Sequence, residues 1–501
     1  MAASWSTEAM TNLSANKERA LVLSDPSLLR EAALIDGEWI GGADSTVVNP
    51  ATGAVIGRVP SLGAAETRRA IEAAARAQPA WAARTAADRG AILRRLFDLM
   101  IANREDLARI MTAEQGKPLA ESRGEIDYAA SFIDWFAEEA KRADGDIIPT
   151  NAGSRRILVM KQPIGVFAAI TPWNFPAAMV TRKAGPGWAA GCAGVIRPAS
   201  QTPFSALALG VLAERAGLPP GVCNIVTGPP RPIGGELSSN PLVRKLSFTG
   251  STAVGAQLLQ QCAPTIKKTS MELGGNAPFL VFDDADLDRA VDGAILAKFR
   301  NGGQACTAAN RFLVQAGIYP AFVDAFVHRI AALKVGPGDA TDVTIGPLID
   351  TGALAKIEEL VADAVACGGR IVTGGARHAL GGTFFQPTLI ADVPPAARML
   401  AEEVFGPVAP VTVFHDEQEA LALANATEFG LAAYAYTRDL ARAFRVAERI
   451  EAGMVGINEG IISTAVAPFG GIKASGLGRE GSSRGLDEYL ETKYIALGGL
   501  D

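Results

Sequence analysis

Between residues 64 and 144 apolar side chains return at helical spacing. Ile92, Leu93, Leu96, Leu99 and Met100 fall at i, i+1, i+4, i+7 and i+8, which is one face of an α-helix. This stretch predicts a run of helices and offers packing without chemistry. From Gly165 the rhythm changes. Short apolar runs of β character at 166–170, 194–197, 223–226 and 245–248 are separated by Ala- and Leu-rich helical segments of about 10–15 residues. Strands and helices alternating at that length predict a parallel sheet with crossover helices. A second alternation follows the Gly274-Gly275 break. It has strands at 279–282 and 311–314, helices at 319–333 and 352–367, and strands at 411–414 and 454–458. Residues 147–162 and the tail from Tyr489 fit neither unit and predict strands that pair outside both.

Composition narrows the function classes. The chain has 501 residues, room for about three domains, and its 47 basic against 53 acidic residues leave a net charge of −6. A mildly acidic surface excludes nucleic acid held by bulk electrostatics. No run approaches the ~18 apolar residues of a membrane span. The first ~20 residues carry Glu8 and Glu18 and have no apolar core, so they read as a loose arm extending to about residue 25, without a secretory signal. Five scattered Cys with no C-x-x-C spacing predict a reducing, cytoplasmic setting, and three distant His predict no metal site.

Two local features carry candidate chemistry. Residues 245–255 read as strand, Gly-rich turn and helix start, with Gly250 and Gly255 able to admit a phosphate; a plain βα turn has the same pattern. Asn301-Gly-Gly-Gln-Ala-Cys-Thr307 places Cys306 in a small-residue loop just before a strand. A thiol of ordinary pKa ~8.5 is only about 3% thiolate at pH 7, so a nucleophile here needs a positive environment. Cys192, Cys223, Cys262 and Cys367 read as small buried hydrophobes.

Six motifs stand in order between residues 171 and 471: Thr171-Pro-Trp-Asn-Phe-Pro176, Phe248-Thr-Gly-Ser-Thr252, Met271-Glu-Leu-Gly-Gly275, the Cys306 loop, Glu402-Glu-Val-Phe-Gly-Pro407 and Pro468-Phe-Gly-Gly471. The set resembles the aldehyde dehydrogenase superfamily. Pro198-Ala-Ser-Gln-Thr-Pro-Phe-Ser205, Gly274-Gly-Asn-Ala-Pro-Phe279 and Ile472-Lys-Ala-Ser-Gly-Leu-Gly-Arg-Glu480 are most similar to its succinate-semialdehyde dehydrogenases. The resemblance implies an α/β fold with three parts. They are a Rossmann-type cofactor domain (1–145 and 163–273), an α/β catalytic domain (274–475), and a small β extension (146–162 and 489–501) that joins subunits into a homodimer or homotetramer.

The resemblance also implies roles. Cys306 matches the nucleophile, Glu272 the general base and Asn174 the oxyanion donor, acting with the Cys306 backbone N–H. Trp173, Gly250 and Ser251 fall at the cofactor pyrophosphate, Glu403 at the nicotinamide ribose and Phe405 beside the ring. Arg197 and Ser200 fall where the family reads the adenosine ribose. A neutral Ser200 beside a guanidinium predicts NADP as the preferred cofactor, with NAD as the alternative. Arg182, Arg300 and Ser463 match the residues that hold a distal carboxylate. They predict a small-molecule ω-oxo acid as substrate, with succinate semialdehyde favoured over glutarate semialdehyde. A relative that hands its thioester to CoA, or a non-catalytic cofactor binder, are the competing classes. Ala308 stands where some relatives carry a second Cys, so no disulfide switch is expected.

Overall fold

A computed structural model describes residues 21–500. The helical pattern resolves into α1 (Ala64–Ala82), α2 (Ala86–Ala102), α3 (Arg104–Gln115) and α4 (Leu119–Glu139). Each boundary has a local cause. Glu66 accepts from the Gly63 N–H at 2.8 Å at the head of α1, the Thr85 hydroxyl accepts from Asp88 N at the head of α2, and Gly116 ends α3 in the left-handed region.

The first alternation forms β1 (Val166–Ile170), α5 (Ala178–Ala190), β2 (Ala193–Arg197), α6 (Pro203–Ala216), β3 (Cys223–Ile225), α7 (Pro230–Ser239), β4 (Val243–Thr249), α8 (Thr252–Cys262) and β5 (Lys268–Glu272). These strands are parallel in the order β5-β4-β1-β2-β3. Both faces are covered. Phe167 and Ala169 enter one core cluster, and Val166, Ala168 and Ile170 the other. That is why the strand reads as a continuous apolar run. The antiparallel pair Ala32–Ile35 and Glu38–Gly41 extends one edge, and Gly476–Leu477 extends the other. Neither addition is foreshadowed by the apolar runs. The chain order reverses between β1 and β4, and the crevice beyond the carboxyl ends of such a switch point is where open α/β sheets bind ligands.

The second sheet holds β6 (Ala277–Val281), β7 (Ala309–Gln315), β8 (Thr388–Ala391), β9 (Val408–Phe414), β10 (Ala432–Tyr436) and β11 (Met454–Ile457), parallel in the order β8-β9-β7-β6-β10-β11, with Arg370–Thr373 antiparallel at one edge. Helix α9 (Leu287–Phe299) follows β6, with Asp286 capping its first turn through Arg289 N. The segments set apart by pattern do pair separately. Leu490–Leu497 runs antiparallel to Arg156–Pro163, which also pairs with Asp146–Ile148. Tyr489 is not part of that sheet: it is buried edge-on against Phe167, 5.4 Å between centroids.

Two expectations need correction. The terminal arm was expected to be loose to about residue 25, and residues 1–20 lie outside the described part. Residues 24 and 25 are fixed, because the carboxylate of Asp106 accepts both the Ser24 and Asp25 N–H groups. Cys367 is exposed at the end of its helix, whereas Cys192, Cys223 and Cys262 are buried as expected.

Candidate functional site

The chain passes from the end of β5 directly into β6, so Glu272 to Asn276 bridge the two sheets. The carboxyl ends of the first sheet, carrying Thr171 to Phe175 after β1 and Glu272 as the last residue of β5, meet the amino ends of β7 and β9, preceded by Cys306 and Glu403. Close approach fixes this seam. A Cβ on Gly275 would stand 2.5 Å from the Cys306 carbonyl oxygen. Before Cys306 the backbone takes a left-handed run at Asn301 (φ 53°), Gly302 (φ 60°) and Gly303 (φ 75°), which turns the chain from α9 into the Cys306 loop. Gln304 holds that loop by accepting from Ile349 N at 3.0 Å, and Tyr434 donates to the Thr307 carbonyl at 2.8 Å.

Asn174 is buried. Its Nδ2 donates to the Gln304 carbonyl at 3.0 Å, two residues from Cys306, and its own carbonyl accepts from Asn301 Nδ2 at 2.9 Å. The side chain is therefore locked to the thiol loop rather than to a turn of its own. Cys306 keeps some contact with solvent, but enough protein surrounds the thiol that burial pushes it up to about 12; the nearby charges of Arg182 and Arg300 pull the other way. Glu272 is 2% exposed, and neither carboxyl oxygen has a partner. Burial, aided by the charge of Glu480, raises it well above the ordinary carboxylate range. It stands at a strand end, but it is no solvated carboxylate.

Arg182 lies on α5, 2% exposed, and not on a solvated helix face. It forms an ion pair with Glu480 through Nε, and its guanidinium stacks 4.0 Å from the Phe469 centroid. Its Nη2 meets the Met179 sulfur at 3.0 Å. A thioether is a weak acceptor, so this edge of the guanidinium keeps capacity for a stronger one. Burial alone would push Glu480 up, but the charges of Lys183 and Arg182 outweigh it and hold Glu480 low. Arg300 lies 5.3 Å from the Phe175 centroid and lines a small cavity with Thr307, Tyr434 and the 460–462 loop. Ser463 is half-buried in the continuation of that loop.

The remaining candidates lie on the switch-point side. Thr171 and Thr249, at the ends of β1 and β4, have buried hydroxyls without partners among the described residues. Arg197, at the end of β2, donates to the Ser200 hydroxyl at 2.8 Å and to the Gly228 carbonyl at 3.2 Å, while its buried Nε has no partner among the described residues. Burial lowers it to about 10, so it stays charged. Beside it opens a depression of about 160 Å³ lined by Ser45, Ser61, Ser200, Thr227 and Gly228. Ser251 is exposed at the head of α8, and Gly250 donates to the Glu272 carbonyl at 3.1 Å. A Cβ on Gly250 would strike the Phe248 ring at 2.4 Å, so packing inside the protein already demands glycine there. Trp173 and Phe405 meet edge-on, 5.5 Å apart, across the seam. Glu403 accepts from Gly275 N at 3.1 Å, and burial raises its carboxyl to about 7. Orphaned hydroxyls, a free guanidinium edge and a helix head along one crevice suit a phosphorylated dinucleotide.

Sequence reasoning missed the supports. Glu121 and Glu125 on α4, Lys117 before it, Lys183 and Glu480 all reach the site, against the expectation that residues 64–144 bring no chemistry. Glu480 and Asn301 at least stood inside quoted motifs. Among the described residues no group of three metal-ligating side chains occurs, and no helix is long and apolar enough to cross a membrane.

Taken together, the seam offers a thiol to an electrophilic carbon, N–H donors for the oxygen on that carbon, a buried carboxyl to handle a proton, and a dinucleotide crevice alongside. The comparisons agree with this chemistry. The chain is 63% identical to glutarate-semialdehyde dehydrogenase of Pseudomonas aeruginosa over 95% of its length and 100% of that protein. It is 61% identical to succinate-semialdehyde dehydrogenase [NADP(+)] of Escherichia coli over 95% of its length and 99% of that protein. The crystal structure of an E. coli NADP-dependent enzyme, 61% identical, superposes with a TM-score of 0.94 over 95% of this chain and 100% of that one. Residues 39–495 match the aldehyde dehydrogenase family, and with that span the chain belongs to it and is an aldehyde dehydrogenase.

Proposed function

We propose that this enzyme oxidises a short aldehyde bearing a distal carboxylate, succinate semialdehyde in the first place and glutarate semialdehyde as the alternative, with NADP preferred over NAD. The observation that carries the reading is the pair Arg182 and Arg300, whose charges both act on the Cys306 thiol. A neutral aldehyde gives two guanidinium groups nothing to bind. A carboxylate gives each a charge-assisted hydrogen bond of about 1.5–3 kcal/mol. Ser463 would complete this carboxylate site. One methylene is worth only ~1–3 kcal/mol of discrimination, so both oxo acids are expected to turn over. The two relatives are named for these two substrates.

Cys306 gives its proton to solvent and attacks the carbonyl carbon as the thiolate, and Asn174 Nδ2 with the Cys306 N–H stabilises the oxyanion that forms only on attack. Trp173, Ser251, Glu403 and Phe405 would hold the dinucleotide, which when bound would accept the hydrogen that leaves with its electron pair. Cys306 then carries the thioester. Glu272, once ionised, takes a proton from water as the water oxygen adds to that carbon, and the departing thiol is freed for another cycle. The carboxyl at Glu272 favours water over CoA as the acyl acceptor. Arg197 and the Ser200 hydroxyl, with no carboxylate beside them to repel it, suit a ribose 2′-phosphate.

We further assign the three-stranded sheet to subunit assembly. Ile147, Met160 and Tyr494 are exposed on it, and among the described residues its edges and that of β11 are unpaired. A homodimer or homotetramer follows. The five cysteines are all free, which suits a cytoplasmic enzyme with a thiol nucleophile. The test is the initial rate of NADPH or NADH formation with succinate semialdehyde, glutarate semialdehyde and butanal. Equal kcat/KM for butanal and succinate semialdehyde would remove the arginine pocket.

A further inference from the structure

Lys117 precedes α4, and its ammonium is wholly buried. Nζ meets Glu125 Oε2 at 2.5 Å, donates to the Asn174 carbonyl at 2.7 Å and lies 4.1 Å from the Phe175 centroid. The other oxygen of Glu125 accepts from Ala177 N at 3.0 Å and Ala178 N at 3.2 Å. The segment from Asn174 to the head of α5 is thus pinned at four places by one ion pair. One turn earlier on the same helix, Glu121 accepts from Asn301 N at 2.7 Å. Asn301 Nδ2 then donates both to the Asn174 carbonyl at 2.9 Å and to the Gln304 carbonyl at 3.1 Å, the same carbonyl that receives Asn174 Nδ2. The result is a closed ring from α4 through both catalytic loops and back.

A buried ion pair is a weak means of stabilising a fold, since apolar residues of similar volume often serve as well. What this pair supplies is direction. We propose that Lys117 and Glu125 are positioning residues for the oxyanion donor: they fix the backbone of Asn174 from below, so that its side chain stands ready where the oxyanion forms, while Glu121 sets the Cys306 loop in the same frame. Neither residue touches the reacting atoms. The inference rests on Asn174 being the oxyanion donor, as read above. Preorganised donors work because they need no rearrangement during reaction, and a displacement of about 1 Å costs on the order of 100-fold in rate.

The test is a kinetic cycle on the full-length enzyme, with Lys117→Met and Glu125→Gln each made alone and combined with Asn174→Ala. Glu125→Gln is isosteric and keeps an acceptor for Ala177 and Ala178, so it reports even where Lys117→Met does not fold. In the parent background each is expected to lower kcat by about 10–100-fold with KM for the aldehyde changed less than about threefold. In the Asn174→Ala background the same substitution is expected to change kcat by less than about threefold, because the donor it aims is already gone. An equal loss in both backgrounds, or no loss in the parent, would overturn the positioning role. Full turnover by Asn174→Ala alone would instead remove the oxyanion reading on which it rests.

Discussion

Asn174→Ala separates what the side chain does for the fold from what it does for the reaction. In the folded protein the amide gives one hydrogen bond, Nδ2 to the Gln304 carbonyl at 3.0 Å. That carbonyl keeps the Asn301 bond at 3.1 Å after truncation, and the backbone carbonyl of residue 174 keeps both Lys117 and Asn301. No buried acceptor is orphaned, so the loss of stability is about 1 kcal/mol. The transition state loses a donor aimed at an oxyanion, which costs about 2.7–4 kcal/mol, or 10²–10³ in kcat. The ground-state aldehyde carries little charge on that oxygen, and KM is expected to stay near the parent value. Stopped-flow NADPH formation gives the acylation rate, steady-state assays give kcat and KM, and urea unfolding gives the stability change. A kcat within tenfold of the parent, with stability altered by about 1 kcal/mol or less, would refute the oxyanion assignment.

Three further outcomes are expected. Because burial pushes the Cys306 thiol up to about 12, inactivation of the cofactor-free enzyme by iodoacetamide should accelerate about tenfold per pH unit from pH 7 to 9, and Cys306→Ser should abolish NADPH formation; a plateau in the alkylation rate below pH 9 would contradict the thiol's environment. Arg300→Met should raise KM for succinate semialdehyde about 10–150-fold and leave butanal unaffected, whereas parallel losses for both would assign Arg300 to packing on Phe175. Glu403 is raised by burial from the ordinary 4.5 to about 7, so it contributes stability that is fully present below the ordinary value and lost as pH rises through about 7. Glu403→Gln should therefore flatten the fall in urea midpoint between pH 5 and 8, and an unchanged slope would refute the burial of that carboxyl.

The parallel strands and their crossover helices were readable because each is written locally. Val166–Ile170 is an apolar run that a two-sided sheet requires, and the pattern marks its ends without reference to any partner. The edge hairpin at 32–41 escaped notice, since a short strand at a sheet margin has no strong period. Cys306 was conspicuous for a related reason. A thiol set among small residues before a strand is a sequence-local oddity, and the ordered motifs around it named its companions.

Burial and partnership were not local. Glu121 and Glu125 have the spacing of an ordinary solvated helix face, and nothing within α4 distinguishes them from Asp127 or Glu138, which are exposed. Lys117 finds the Asn174 carbonyl 57 residues away, and Lys183 finds Glu480 after 297. Whether a carboxylate is solvated, neutral or ion-paired depends on the dielectric and charges that distant segments bring to it. Chain order and residue type made the strands and the class of chemistry legible. Only the meeting of two sheets at one seam settled which charges are desolvated, which are paired, and which guanidinium edge remains open to a substrate, because electrostatic free energy is a function of position in space and not of position along the chain.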